Sequence, residues 1–465
     1  MSNLKKTHSL PHFYLEKPDL GKVDKSKIFD KLEVLGNRLT QFLQTINEPR
    51  YLYWDEMRYK ASLLLRNKEV PAGLTAEEAW FLISQFRTLV SRPTPIKTEK
   101  GAYFKWIRLP YVDEFLHKID INSGGQILAT RDVLLESNKQ KFISRGILEE
   151  AIASSQLEGA HTTRQAAKKM IIEKREPRNK DEQMILNNYN TIVKIDEDYK
   201  NQPLSETTLF ELHSLLTQKT IAEEKQGRFR KDSDNIVVQG MLGSQEYITH
   251  IPPEEEFVQK EIKRMIEYAN DENSDKFLHP IIKAIFLHFW VGYLHPFVDG
   301  NGRLARALFY WYLLRKKYWT FMYLPISLVI KRAPVQYAMA YIYSEQDGYD
   351  ATYFFDFHIR KIIQALDDFN EYVSKKILEN KEIDKIISKD VHLVDRQKYL
   401  IHHLVTENNA YVTVTSHATL NNISRQTAAK DIRQLENIGL VAGVREGKYI
   451  KYRATQKLLN LSSHN

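Results

Sequence analysis

The chain has 465 residues, 43% of them hydrophobic and 27% charged, and it contains no cysteine. That composition is ordinary for a soluble globular protein of roughly two to four domains, and it excludes disulfide scaffolds, cysteine nucleophiles and cysteine–zinc sites. A net charge of +8, from 67 basic and 59 acidic residues, is a mild excess that suits nucleotide or nucleic-acid partners without specifying either.

The segment Met1–Lys6 is polar and basic with no apolar core behind it, so no signal peptide is expected. Together with the missing cysteines, this fits a cytoplasmic protein. Residues 1 to about 25, with Pro11 and Pro18, read as an extended arm. Ile28, Leu32, Leu35, Leu39 and Phe42 recur at helical spacing and predict a helix over Lys27–Gln44. Tyr51–Leu65 is a second, aromatic-rich helical candidate. Thr75 with Glu78 three residues on forms a capping box and opens a helix that runs to Leu89. Thr98–Tyr111 mixes aromatics with Gly and Pro and predicts short strands.

Phe142–Ile171 reads as helix with Ile147, Ile152 and Leu157 on its apolar face, and it contains Ser154-Ser155-Gln156-Leu157-Glu158-Gly159. Serine four before glutamate is common on helices, so the pattern alone leaves both as surface residues. Two further helices are expected over Glu182–Tyr199 and Ser205–Leu216. Gly227-Arg228-Phe229-Arg230 then leads into Ile236–Val238 and, beyond Gly240 and Gly243, into Gln245–Ile251, closed by Pro252-Pro253. Two apolar runs around glycines predict a β-hairpin.

His279-Pro280 opens an apolar run through Leu294. It carries Lys283 and His288, so it reads as a buried core helix rather than a membrane span, with His288 a core residue. The run ends in His295-Pro296-Phe297-Val298-Asp299-Gly300-Asn301-Gly302-Arg303-Leu304-Ala305-Arg306. Gly-Asn-Gly between two helices exposes backbone N–H groups at the second helix's N-terminus, a natural anion site. Arg303 and Arg306 share one face of that helix and can clamp phosphate oxygens. Asp299 is a hard oxygen ligand suited to magnesium, and His295 can serve as a general base near neutral pH. Base, metal ligand and phosphate cradle together specify chemistry at phosphorus.

These twelve residues closely resemble the Fic family signature, His-Pro-Phe-x-(Asp/Glu)-Gly-Asn-Gly-Arg-x-x-Arg, and every fixed position is present. The resemblance implies a protein adenylyltransferase that moves AMP from ATP, with Mg2+, to a Ser, Thr or Tyr hydroxyl of a target protein or of itself. It makes His295 the base and Asp299 the metal ligand. It assigns ATP to Gly300, Asn301, Gly302, Arg303, Arg306 and, further on, Tyr337. Ser154 to Gly159 resembles the family's inhibitory motif, (Ser/Thr)-x-x-x-Glu-(Gly/Asn), in which Glu158 would neutralise the Arg306 cation meant for the γ-phosphate. The hairpin falls where the family has a flap beside the site, and its exposed edge can hold an extended target segment by strand addition.

Past the signature, Leu324–Ile342 is a helical stretch with Ser327 near its N-cap, and Asp347–Phe357 is an aromatic closing helix. Asp368–Asp390 interleaves Lys and Glu as a solvated connector. Arg396–Val405, Thr415–Leu420 and Arg425–Glu436, the last capped by Ser424, precede a hairpin over Val444–Arg453. That order resembles a winged helix-turn-helix. Residues 391–465 carry ten Lys/Arg against five Asp/Glu, which suits phosphate contact. Arg425, Gln426, Lys430 and Arg433 would face a DNA groove, and Lys448 and Lys451 its backbone. A dimerisation or target-binding module is the alternative.

The expected fold is mainly α, a Fic-type helical core with a β-hairpin flap plus the C-terminal winged helix. Its expected parts are an N-terminal helical region (1–139), an inhibitory helix segment (140–180), the catalytic core (181–372), a charged connector (373–390) and the winged helix (391–465). Two rival functions stay open. One is a DNA-binding regulator for which nucleotide is only a signal. The other is the same scaffold transferring another nucleotide, such as UMP, or removing AMP. No membrane partner is expected.

Overall fold

The computed structural model describes residues 10–15, 19–37, 73–123, 136–272, 277–386, 392–407, 409–446 and 449–463. The candidate helix Tyr51–Leu65, the far end of Lys27–Gln44, and Lys448 lie outside them.

Helix α1 spans Lys25–Leu35 and α2 spans Ala76–Val90. The capping box at the start of α2 forms as expected: Thr75 Oγ1 accepts the Glu78 N–H and Glu78 Oε2 accepts the Thr75 N–H. Strands β1 (Arg92–Lys97) and β2 (Tyr103–Trp106) pair antiparallel. β1 begins before the predicted strands and holds Pro93 and Pro95, which a two-stranded ribbon tolerates because one edge needs no donors.

Helices α3 (Tyr111–Ser123), α4 (Glu136–Leu157), α5 (Arg164–Ile172), α6 (Lys180–Glu197) and α7 (Glu206–Thr217) follow. The predicted Phe142–Ile171 helix is therefore two, broken where Gly159 takes a φ of 90°. β3 (Val238–Leu242) and β4 (Gln245–His250) form the predicted hairpin. The other edge of β4 carries the N-terminal arm. The Ile248 N–H donates to the Pro11 carbonyl, and the Phe13 N–H donates to the Ile248 carbonyl, each at 2.9 Å. Gln346 clamps the arm further, donating to Phe13 O and accepting from Leu15 N, also at 2.9 Å. Leu15 is buried in the main core.

Helix α8 (Glu255–Ala269) is absent from the sequence reading, although Val258, Ile262, Met265 and Ala269 lie buried at helical spacing. Helices α9 (Pro280–Leu294) and α10 (Asn301–Arg315) pack together at the centre of the largest core. Nearly every side chain on both is buried, the mark of helices enclosed all round.

The predicted Leu324–Ile342 helix is also two, α11 (Ile326–Lys331) and α12 (Pro334–Gln346), because Pro334 cannot continue the first. Ser327 is no cap. It is buried, and its N–H and hydroxyl both go to Glu150. Helix α13 runs unbroken over Thr352–Ile386, so the expected core–connector boundary at 372/373 falls inside one helix. Helices α14 (Asp395–Thr406), α15 (Val414–Asn421) and α16 (Arg425–Asn437) precede the β5 (Val441–Glu446) and β6 (Tyr449–Ala454) hairpin and a final helix, α17 (Gln456–Ser463), which was not anticipated. This segment has its own core around Ile401, Ile432 and Leu435. The fold is mainly helical, as expected. Among the described residues no helix is long and apolar enough to cross a membrane.

Candidate active site

Helix α9 passes directly into His295, whose φ of 46° and ψ of 56° are left-handed. A side chain in that conformation needs support from its surroundings. Arg230 provides it. Its Nε donates to the His295 carbonyl and its backbone N–H to the Pro296 carbonyl, both at 2.8 Å. In the sequence Arg230 reads only as part of a turn, because nothing in its neighbours signals a contact with residues some sixty-five positions away.

A second unforeseen residue lies beneath the loop. Phe297 is wholly buried and stacks on the His213 ring, with centroids 3.8 Å apart and planes within 9°. His213 Nδ1 accepts the Gly227 N–H at 3.0 Å, so the proton sits on Nε2, which donates to the Asp299 carbonyl at 2.9 Å. Burial pushes its pKa down to about 4, so the ring is a neutral spacer.

Asn301 closes the loop on itself. Its Oδ1 accepts the Phe297 N–H at 2.9 Å and its Nδ2 donates to the Phe297 carbonyl at 2.8 Å. The buried side chain thus shapes the loop, one donor and one acceptor spent on Phe297. Gly300, the N-cap of α10, has a φ of 83°, and a Cβ there would lie 2.8 Å from Thr217 Cγ2. Only glycine satisfies both limits. The first N–H groups of α10 then lack helical partners and form an anion site.

Arg303 lies beneath the loop. Its side chain is fully buried, and it donates to the Leu216 carbonyl at 2.7 Å and to Asp299 Oδ1 at 3.2 Å. It anchors the loop from below. Asp299 Oδ1 also accepts the Gly300 N–H, whereas its Oδ2 has no hydrogen-bond partner among the described residues. The Asp299 side chain is 39% exposed. Among the described residues no three His, Cys, Asp or Glu converge. This donor set fits magnesium held by one carboxylate and by a nucleotide's own phosphates, the ion's usual mode.

Arg306 is buried with Ser154 and Glu158 around it. Its Nε donates to Ser154 Oγ at 2.7 Å, and its Nη2 donates to the Ser154 carbonyl at 3.0 Å and to Glu158 Oε1 at 2.8 Å. Burial opposes the guanidinium charge, but Glu158 outweighs it and raises the pKa. The carboxylate lies directly over Gly302, where a Cβ would come within 2.1 Å of Oε1. Glu158 therefore sits at the N-terminal turn of α10, where the helix dipole favours a negative charge.

His295 is only partly exposed. Its pKa is lowered to about 3, first by burial and then by His250 and Arg230 nearby, so the imidazole is neutral and its affinity for a proton is low. His250, on β4, bonds Glu345 at 2.6 Å and the Tyr293 carbonyl at 2.8 Å. Burial works against its charge, but the Glu345 carboxylate and that carbonyl outweigh it and raise its pKa. Tyr337 bonds His288 at 2.9 Å and contributes to the field at Arg306. His288 is a neutral core residue, as expected, its pKa far down through burial.

Residues 203–313, which include the whole loop, match the family model described as Fic/DOC family. The chain carries a Fic domain. Curated relatives named "Protein adenylyltransferase Fic" include one from Drosophila persimilis, 36% identical over 69 residues, and one from Nematostella vectensis, 38% identical over 66 residues. These matches cover 15% and 14% of this chain and 13% and 15% of the relatives, so the likeness spans a small part of either. Among solved structures, a Fic family protein from Desulfovibrio desulfuricans G20 is 20% identical, with a TM-score of 0.46 over 75% of this chain and 96% of its own.

The Fic domain does not gather every predicted residue. Arg425, Gln426, Lys430 and Arg433 line a separate cavity of about 700 Å³ on α16. One of the flap's two edges, that of β4, is taken at Ile248 by the chain's own arm.

Proposed function

We propose that this protein is an adenylyltransferase that moves AMP from ATP to a hydroxyl of a target protein, and that its own Glu158 holds it inactive. The observation that carries this reading is the Glu158–Arg306 bridge at 2.8 Å across Gly302, inside a Fic domain whose histidine is neutral. The target hydroxyl oxygen attacks the α-phosphorus while His295 takes its proton. The bond from the α-phosphorus to the bridging oxygen breaks, and pyrophosphate leaves. N–H groups at the start of α10 and the Arg306 guanidinium receive the phosphate chain. Magnesium, held by Asp299 and the phosphates, would neutralise their charge. Arg303, Asn301, His213 and Arg230 position the loop without touching substrate.

With Glu158 in place, Arg306 is already neutralised and its Nε and Nη2 donors are spent, while Nη1 has no partner among the described residues. A γ-phosphate then finds no free cation, and the α-phosphorus misses the in-line position that near-attack geometry requires. The test is incubation with α-labelled ATP and mass spectrometry of the products. Label should appear with Glu158→Gly, far above the parent, and vanish when His295→Ala is added. Equal labelling by the parent and Glu158→Gly would sink the inhibitory role. Labelling from UTP alone, or loss of AMP from a modified protein, would favour the rival chemistries.

A second activity has its own observation. Arg425, Gln426, Lys430 and Arg433 share one cavity wall on α16, as a DNA-reading helix requires. We infer a winged helix that contacts duplex DNA through this face. Electrophoretic shifts that weaken with salt and with Arg433→Ala would support it. No shift at low salt would leave the segment a protein-binding or dimerising module.

A further inference from the structure

Glu158 stands at the bend of a helical hairpin whose arms are α4 and α5. Gln156 Nε2 donates to the Thr162 carbonyl across the bend at 2.7 Å, and the His161 N–H donates to Asp181 at 2.9 Å. Ser154 and Glu158, four apart on one face, reach Arg306. Leu148 and Ile152, also four apart, lie on a different face, because Ile152 and Ser154 are about 200° apart around the helix. Leu148 and Ile152 join Ala167, Met170 and Ile171 of α5 and Ile185 of α6 in a separate apolar cluster.

The C-terminal segment closes this cluster. Leu420 of α15 packs against it, α15 lies along both α4 and α5, and α14 also touches α4. The Tyr411 hydroxyl donates to Glu173 Oε1 at 3.2 Å, at the C-cap of α5. The segment is itself tied together by buried Asp431, which bonds Arg396 of α14 at 2.8 Å and His417 of α15 at 3.1 Å. Both arms of the hairpin are therefore backed by one braced unit from hundreds of positions away in the chain.

We propose that the C-terminal segment is a clamp for the inhibitory carboxylate: α15, seated through Leu420 on the α4–α5 hairpin, holds Glu158 against Arg306. This deepens the reading of Glu158 as an inhibitor and rests on it. A 2.8 Å hydrogen bond to a guanidinium is lost within a shift of about an ångström, so small freedom at the hairpin suffices to release Arg306. Anything that lifts α15 would raise the transfer rate. The coupling between the two sites is a free energy, visible as a fold-change.

The test uses the full chain with Leu420→Asp, and with Tyr411→Phe as a milder variant, each made alone and with Glu158→Gly. Amide exchange at residues 155–164 should quicken with Leu420→Asp while α16 stays protected. Initial AMP incorporation from α-labelled ATP should rise about 5-fold or more, the low end of ordinary couplings. In the Glu158→Gly background Leu420→Asp should change nothing further. Unchanged exchange at 155–164 overturns the clamp whatever Glu158 does. A rate that falls equally in both backgrounds, or α16 losing protection, also overturns it, because the contact would then serve only general stability. Glu158→Gly no faster than the parent, with exchange quickened as expected, would instead remove the inhibitory reading and leave the clamp purely structural.

Discussion

Replacing Glu158 with glutamine keeps the side chain's shape and removes its charge. In the parent, Glu158 accepts from Arg306 at 2.8 Å, with the glutamate side chain 28% exposed and the arginine 4% exposed. A hydrogen bond between charged groups contributes about 1.5–3 kcal/mol, and one with a neutral acceptor about 1 kcal/mol. Glutamine can still accept from Arg306, so Glu158→Gln should weaken the closed arrangement by about 0.5–2 kcal/mol, or roughly 2- to 30-fold in its population. Solvent reaches the carboxylate, which favours the lower half of that range. Initial AMP incorporation from α-labelled ATP should rise by the same factor and remain below that of Glu158→Gly. A rate equal to the parent's, with an unchanged melting temperature, would refute the idea that charge at this position holds the site shut.

Arg303→Ala should lower stability by about 2–4 kcal/mol, because it leaves the Leu216 carbonyl only its 3.4 Å contact with Asn187, breaks the bridge to Asp299 and opens a void under the loop; an unmoved urea midpoint would show that Arg303 is no anchor. Acid should destabilise the chain, since burial holds His213 near a pKa of about 4 and His295 and His358 near about 3. The native rings stay neutral while the unfolded chain takes up protons below about pH 6.5, so each histidine costs about 2 kcal/mol by pH 5, partly offset by His250, whose raised pKa contributes most at low pH. A melting temperature that is flat between pH 7 and pH 5 would contradict this.

The signature loop was legible because its chemistry is contiguous, twelve residues with base, carboxylate and helix start in fixed order. Ser154 and Glu158, one helical turn apart, were singled out only by the resemblance, because their spacing alone reads as ordinary helix surface. What supports these residues was not legible. Arg230, His213 and the Leu216 carbonyl reach the loop from residues far off in the chain, and no local pattern marks them. The arm's pairing with Ile248 uses backbone groups alone, which every residue carries. Arg303 and Asn301 were readable as loop members, but whether they point into the fold or out of it depends on packing. Other misses were avoidable. Val258, Ile262, Met265 and Ala269 spell α8 at ordinary spacing, and Pro334 announces the break between α11 and α12.

The strapped arm also bears on the order in which the chain can fold. Leu15 meets Gln346, 331 positions later, and Phe13 meets Ile248. At roughly 5–20 residues per second of synthesis, Gln346 is made about 20–60 s after Leu15. Phe13 waits for Ile248 and Tyr247, and Leu15 waits longer, for Gln346. The arm is thus made long before the surfaces that receive it, and its docking comes late in the assembly of the core.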